Sequence, residues 1–152
     1  MKSLIIAVGR WKSGPEKKLF DHFAQRSKPK LEVREIEVRK KLPQNVLKRK
    51  EAELLLAAVP IGSHIVALDS SGKALTSSTL ALRIGEWRDT GIRQIAWLIG
   101  GANGHGDPVL KKADFTLSFG PQTWPHLLVR AMLAEQLFRA HSILAGHPYH
   151  RD

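Results

Sequence analysis

Residues 64–101, HIVALDSSGKALTSSTLALRIGEWRDTGIRQIAWLIGG, decide the fold. His64 to Leu68 is a short apolar run, Ser77 to Asp89 carries a helical period with Leu80, Leu82 and Ile84 directed inward, and Gln94 to Ile99 is a second buried strand. Two such strands joined through a helix form a crossover unit, and crossovers link parallel strands. The pair Gly100-Gly101 comes directly after the second strand, at the carboxyl end where α/β sheets bind ligands.

The alternation continues on both sides. Leu4 to Val8 is an almost wholly apolar strand, and Pro15 to Arg26 is a helix with Pro15 in its first turn and Leu19, Phe20 and Phe23 on one face. Leu31, Val33 and Ile36 or Val38 alternate with charges, which suits a half-exposed strand towards an edge. Gln44 to Ala58 is a helix with a basic first half, ended by Pro60 and Gly62. Beyond the central unit come a short helix at Pro108 to Lys112, a last strand at Phe115 to Phe119 and a long helix from Pro125 to about Ala145. In that helix Leu127, Leu128, Val129, Met132, Leu133, Leu137, Phe138, Ile143 and Leu144 cover more than one stripe, so it needs cover on two sides. A second subunit would supply it, and so would a central position within one subunit. The pattern as a whole predicts an α/β fold of one domain over residues 1–152, with a mostly parallel sheet flanked by helices.

Composition narrows the function classes. A chain of 152 residues without cysteine forms one compact unit, with neither disulfides nor thiolate metal sites. The apolar stretch at the N-terminus is too short for a signal peptide, and no run approaches the roughly 20 apolar residues that cross a bilayer. A soluble cytoplasmic protein is the expectation, with no membrane partner. Net charge is +10, and it is uneven: residues 1–60 hold 15 Lys/Arg against 7 Asp/Glu, the remainder 9 against 7. The basic clusters fall on separate segments, Lys17-Lys18, Lys28 and Lys30, Arg39-Lys40-Lys41, and Lys48-Arg49-Lys50. Such a field attracts a polyanion in a salt-sensitive way, although charge alone also fits a solvated face.

Three loops are expected to meet at one rim: the end of the strand at Leu68-Asp69, the glycine segment from Gly100 to Gly106, and Gly120-Pro121-Gln122-Thr123-Trp124-Pro125. The glycine segment lacks the Gly-Lys-Ser/Thr of a P-loop and the spacing of a dinucleotide turn, and it fits a tight structural turn as well as a binding loop. Asp69 would accept from a ligand hydroxyl or stabilise its own turn. His126 falls near the start of the last helix, where the positive dipole end lowers proton affinity and suits phosphate contact or neutral-imidazole work. No zincin or nucleophile-elbow motif is present, so neither a metal site nor serine hydrolysis is expected. The chain ends in His147-Pro148-Tyr149-His150-Arg151-Asp152, a concentration of functional side chains directly after the longest apolar helix.

Leu98-Ile99-Gly100-Gly101, Pro125-His126-Leu127-Leu128-Val129-Arg130, Glu135-Gln136-Leu137-Phe138-Arg139-Ala140 and the tail His147 to Arg151 together closely resemble the RlmH family, ribosomal large subunit methyltransferases of the SPOUT class. The resemblance spans nearly the whole chain. It implies a SPOUT-type α/β fold with a C-terminal trefoil knot, a homodimer, S-adenosylmethionine as cofactor, and methylation of N3 of a pseudouridine in helix 69 of ribosomal RNA within the assembled ribosome. It places the cofactor at Leu68, Gly100, Gly101 and the segment Gly120, Pro121, Gln122, Thr123, Trp124 and Pro125, and the methyl acceptor near His147, Tyr149, His150 and Arg151. Direct transfer to an imide nitrogen needs a proton acceptor, for which His150 or His147 is suited. Arg151 or Arg130 would stabilise a carbonyl oxygen or grip phosphate, and Tyr149 would stack on the base. Lys40, Lys41, Lys48, Arg49, His126 and Arg130 would hold the RNA by shape and phosphate. A ribosome-associated binding protein without catalysis is the competing function. The chain departs from the family where Ala102-Asn103-Gly104 stands for the usual Pro-Glu-Gly, and where Asp152 stands for Glu.

Overall fold

A computed structural model describes residues 1–151, and Asp152 lies outside the described residues. Ten elements follow one another: β1 (Lys2–Val8), α1 (Pro15–Arg26), β2 (Glu32–Ile36), α2 (Gln44–Ala57), β3 (His64–Ala74), α3 (Ser77–Asp89), β4 (Gln94–Ile99), α4 (Asp107–Lys112), β5 (Phe115–Ser118) and α5 (His126–Leu144). The strands form one five-stranded sheet in the order β2-β1-β4-β3-β5, and every neighbouring pair is parallel. The half-exposed β2 lies at an edge, as its charges require.

The apolar runs of β1 and β4 are continuous because both faces of the sheet are covered. Ile5, Trp97 and Val66 are register partners across β1, β4 and β3, and none is exposed to solvent. They point into a cluster with α1, α3 and α5, whereas Leu4, Ile6, Val8, Ala96 and Leu98 point the other way into a cluster with Ala52 and Leu55 of α2 and Val109 of α4. The period-2 alternation of the strands therefore sorts one apolar run into two cores.

Two local expectations change. Leu19 and Leu82 are exposed, not inward; Phe20, Phe23 and Ala24 form the buried face of α1, and Leu80, Ala81, Ile84 and Gly85 that of α3. The buried sets follow i, i+3 and i+4 steps, and an i+2 step from Leu80 points Leu82 away from the core. The third strand does not stop at Leu68. It loops outward over residues 69–72 and resumes, so that Leu117 of β5 is opposite both Leu68 and Lys73. Finally, the central position left open for α5 is found on two flanks, where it packs against α1 on one side and α3 on the other, while Leu127, Leu128 and Met132 stay half-buried outside both core clusters.

Candidate active site

The outward bulge of β3 at residues 69–72, with the loops after β4 and β5, borders a cavity of about 540 Å³. All nine residues expected to hold the cofactor border it: Leu68, Gly100, Gly101, Gly120, Pro121, Gln122, Thr123, Trp124 and Pro125. Its volume is in the ordinary range for a small-molecule site. Ile99, Leu117 and Val129 add apolar wall, and Trp124 is tied across the mouth by its indole N–H, which donates to the Phe119 carbonyl at 3.2 Å. Gln122 and Thr123 contribute no backbone hydrogen bond to the fold among the described residues, so their main-chain groups are available to a ligand.

The glycine segment is a tight turn and a cavity wall at once. Gly101 and Gly104 form an isolated bridge, with the Gly104 N–H donating to the Gly101 carbonyl at 3.0 Å. A Cβ on Gly100 would lie 2.9 Å from the carbonyl carbon of Gly104, where backbone leaves no room, and one on Gly101 would lie 2.9 Å from the Oε2 of Glu51, which would have to move aside. Helix α2 holds this segment from behind. Gln44 donates to Asn103 at 3.0 Å, and Gly106 sits against Ala52 and the Lys48 carbonyl. Below it, His105 is buried with Nε2 3.1 Å from the Leu98 carbonyl, and burial holds its proton affinity below the ordinary histidine value.

Asp69 is the one charged side chain among the lining residues. Its Oδ1 accepts from the Ser71 N–H at 2.9 Å and the Ser71 hydroxyl at 2.6 Å, so it stabilises its own outward loop while facing the cavity. Burial raises its carboxyl, yet those two bonds, with His105 and Lys48 nearby, outweigh burial and hold it below the usual carboxylate range. His126 opens α5 and also lines the cavity. Burial, and then the Arg130 guanidinium one turn on, push its imidazole towards the neutral form.

Arg130 requires a correction. Expected to touch RNA, it is instead fully buried, with Nη2 donating to the carbonyls of Val8 at 2.8 Å and Gly9 at 2.7 Å and Nη1 to Glu35 at 3.3 Å. Its guanidinium also covers the Trp11 ring at 4.7 Å. The carbonyls at the end of β1 need a donor, and a long side chain from the helix above supplies it. Lys40, Lys41 and Arg49 are exposed and Lys48 is half-buried, on α2 and the segment leading into it.

The tail lies against a different cavity. After α5 the chain turns at Gly146, where the His147 N–H donates to the Ser142 carbonyl and the Gly146 N–H to that of Ile143, the paired bonds of a Schellman ending. The Tyr149 hydroxyl donates to Glu135 at 3.1 Å while its ring meets Phe138 edge-on at 4.8 Å and lies under the Arg139 guanidinium. His150 has Nδ1 3.1 Å from Arg139 and Nε2 3.3 Å from the Ser78 hydroxyl. His147 and Arg151 are exposed. Tyr149 and Glu135 border a second cavity of about 700 Å³, which shares Leu117, Phe119 and Gly120 with the first. Within one chain, then, none of the four tail residues expected to act on the substrate lines the first cavity; the two spaces meet at the β5 end.

Sequence reasoning missed Glu51, which is 8% exposed. The signal was its spacing: it precedes Leu55 by one helical repeat and so shares the inward face of α2.

A family model described as "Predicted SPOUT methyltransferase" matches residues 1–150. The chain is 54% identical over 151 residues to ribosomal RNA large subunit methyltransferase H of Paramagnetospirillum magneticum, covering 99% of each chain. It is 50% identical over 152 residues to the protein of the same name from Rhodospirillum rubrum, covering the whole of both. Among solved structures, a probable methylase family protein from Haemophilus influenzae superposes with a TM-score of 0.57 at 10% identity, over 99% of this chain and 70% of that one, a likeness that bears on the fold alone. Matched along essentially its full length at such identity, the chain belongs to the SPOUT methyltransferase family, within the RlmH group.

Proposed function

We propose that the chain is an S-adenosylmethionine-dependent ribosomal RNA large subunit methyltransferase that modifies N3 of a pseudouridine in helix 69 of the assembled ribosome, in the cytoplasm. The observation that carries the reading is the convergence of all nine expected cofactor residues on one cavity at the strand ends. The cavity suits a cationic donor: its walls are apolar or main chain, its one charged side chain is the Asp69 carboxylate, and His126 is held towards neutrality. When bound, the cofactor supplies a methyl group already activated on a sulfonium.

The chain's own residues then have to align the acceptor, take the imide proton and stabilise charge on the uracil carbonyls. His150 or His147 is the proposed acceptor of that proton, Arg151 the stabilising cation, and Tyr149 the stacking surface. Because the tail lies beside the second cavity of its own chain, the proposed active form is a homodimer in which the tail serves the partner's donor site. The half-buried Leu127, Leu128 and Met132 of α5, which belong to neither core cluster, are the apolar surface available for that contact. The knotted threading implied by the family resemblance belongs to the same reading. Lys40, Lys41, Lys48 and Arg49 would hold the RNA phosphates.

The test is incubation of the protein and labelled S-adenosylmethionine with intact ribosomes, separated subunits and naked RNA, followed by mapping of the modified nucleoside. Label at one N3-methylated pseudouridine in assembled ribosomes is the expected result. Absence of transfer to every substrate would overturn the reading.

A further inference from the structure

Glu51 is the buried acidic side chain among the described residues, and its Oε2 has no hydrogen-bond partner there. It lies on the inward face of α2, behind the glycine turn, and that Oε2 is 2.9 Å from where a Cβ on Gly101 would be. Val8 Cγ1 is 3.1 Å from the same point. Since Gly101 has no side chain, its main chain is what stands between the carboxyl and the cavity that Gly101 lines.

A carboxyl in such a place is costly to ionise, and burial raises its proton affinity. No ion pair or hydrogen bond joins Glu51 to a charged group among the described residues: Lys48, one turn back on α2, lowers the proton affinity of Asp69 within β3, and His105, at the far end of the turn, is held towards its neutral form by burial. Val8 of β1 brings no charge, and Gln44 is bonded to Asn103. Among the buried side-chain atoms without a partner, which include ring nitrogens and a hydroxyl, the Glu51 oxygen is the only carboxylate oxygen among the described residues, and a buried acid is the group whose charge is most costly to leave unpaired.

We propose that Glu51 is a positioning residue that discriminates ligands by charge: it keeps its proton while the cavity holds no cation and releases it when a sulfonium binds, favouring the methyl donor over its neutral thioether product. The proposal rests on the methyltransferase reading of the cavity. The step is a proton transfer alone, in which the carboxyl O–H bond breaks, the proton passes to solvent buffer, and the carboxylate so formed would act on a positive charge in the cavity that Gly101 lines. Once the methyl group has left, the sulfur is neutral, the attraction ends, and the carboxyl regains its proton from solvent. A nearby positive charge favours the ionised acid, and each unit by which binding lowers the carboxyl's pKa corresponds to about a tenfold gain in affinity for the cation.

The experiment is calorimetric titration of the full chain with S-adenosylmethionine and with S-adenosylhomocysteine, in paired buffers of different ionisation enthalpy, over a pH series from the ordinary carboxylate range to above neutrality. Buffer-dependent heat showing proton release with the sulfonium and none with the thioether is expected. The affinity ratio between the two should rise with pH by about threefold or more before levelling. Glu51→Gln, which keeps shape and loses the charge, should abolish the release and flatten the ratio while leaving thioether affinity unchanged. Sulfonium binding without buffer-dependent heat in the natural chain, or release that survives in Glu51→Gln, overturns the proposal. Failure of the natural chain to bind either ligand overturns the methyltransferase reading itself.

Discussion

The glycine rim and the C-terminal tail flank the same end of the sheet, yet they are held in different ways. The rim is main chain set against main chain: Gly100 fits against the Gly104 carbonyl, the Gly101–Gly104 bridge closes the turn, and α2 presses it from behind. Beyond the main-chain bonds of Gly146 and His147 that close the helix, the tail is attached through side chains, by Tyr149 on Glu135 and Phe138 and by His150 on Arg139 and Ser78. A cavity made of backbone is complete as soon as the sheet forms. A segment held by a few polar side chains can be re-seated at the cost of a few hydrogen bonds, which suits a part that has to meet an incoming nucleobase.

The largest effect should come from Arg130, which links β1 to α5. Arg130→Met leaves the Val8 and Gly9 carbonyls without this donor and Glu35 with only the Trp11 N–H, and a loss of about 3–5 kcal/mol in chemical denaturation is expected. A loss under about 1 kcal/mol would show that the buried guanidinium is not what ties the elements together. Next, Gly100→Ala places a methyl group 2.9 Å from backbone, so about 1–3 kcal/mol of stability and most of the cofactor affinity should go together. If affinity survives, the rim is not the rigid backbone wall described.

The pH dependence of the rim has a defined sign. His105 is held below its ordinary value of 6.5 by burial, so its neutral form belongs to the folded state. Its contribution is complete above that ordinary value and is lost as pH falls through it towards the folded value, at about 1.4 kcal/mol for each unit of displacement. Denaturation midpoints should therefore drop on mild acidification, and less so in His105→Asn. Glu51 has the opposite sign: its raised value makes its contribution full in acid and lost as pH rises through the folded pKa, so Glu51→Gln should be more stable than the natural chain at neutral pH.

On the tail side, Tyr149→Phe removes one hydrogen bond to Glu135 and should cost about 0.5–1.5 kcal/mol. Hydrogen exchange over 147–151 should accelerate while S-adenosylmethionine affinity stays unchanged; a matching fall in affinity would erase the distinction between the two regions. The smallest change in stability, within about 0.5 kcal/mol, is expected from neutralising the exposed Lys40, Lys41 and Arg49. Their effect should appear in RNA engagement and its salt dependence.

Much of this was legible in residue order. The apolar runs of β1, β4 and β5, the helical periods and the glycine segment predicted the parallel sheet and the three converging loops, and the RlmH-like motifs pointed to the same rim. Leu82 is exposed although its apolar side chain, two steps from the buried Leu80, reads as part of the stripe until the helix has a partner. The resumption of β3 after Asp69 was hidden because Asp-Ser-Ser-Gly has the chemistry of a turn, and only pairing with β5 draws the chain back into the sheet.

Sequence alone determined the alternation of strands and helices, the basic first half and the chemical content of the rim, since these follow from local periodicity and composition. Tertiary structure decided that Arg130 faces inward to the β1 carbonyls, that α5 is covered by α1 and α3, that Glu51 stands behind Gly101, and that the tail rests beside a second cavity. The reason is physical: local spacing shows which side chains share a face, but burial and hydrogen-bond partners come from elements far apart in the chain, and no local pattern encodes which of them will meet.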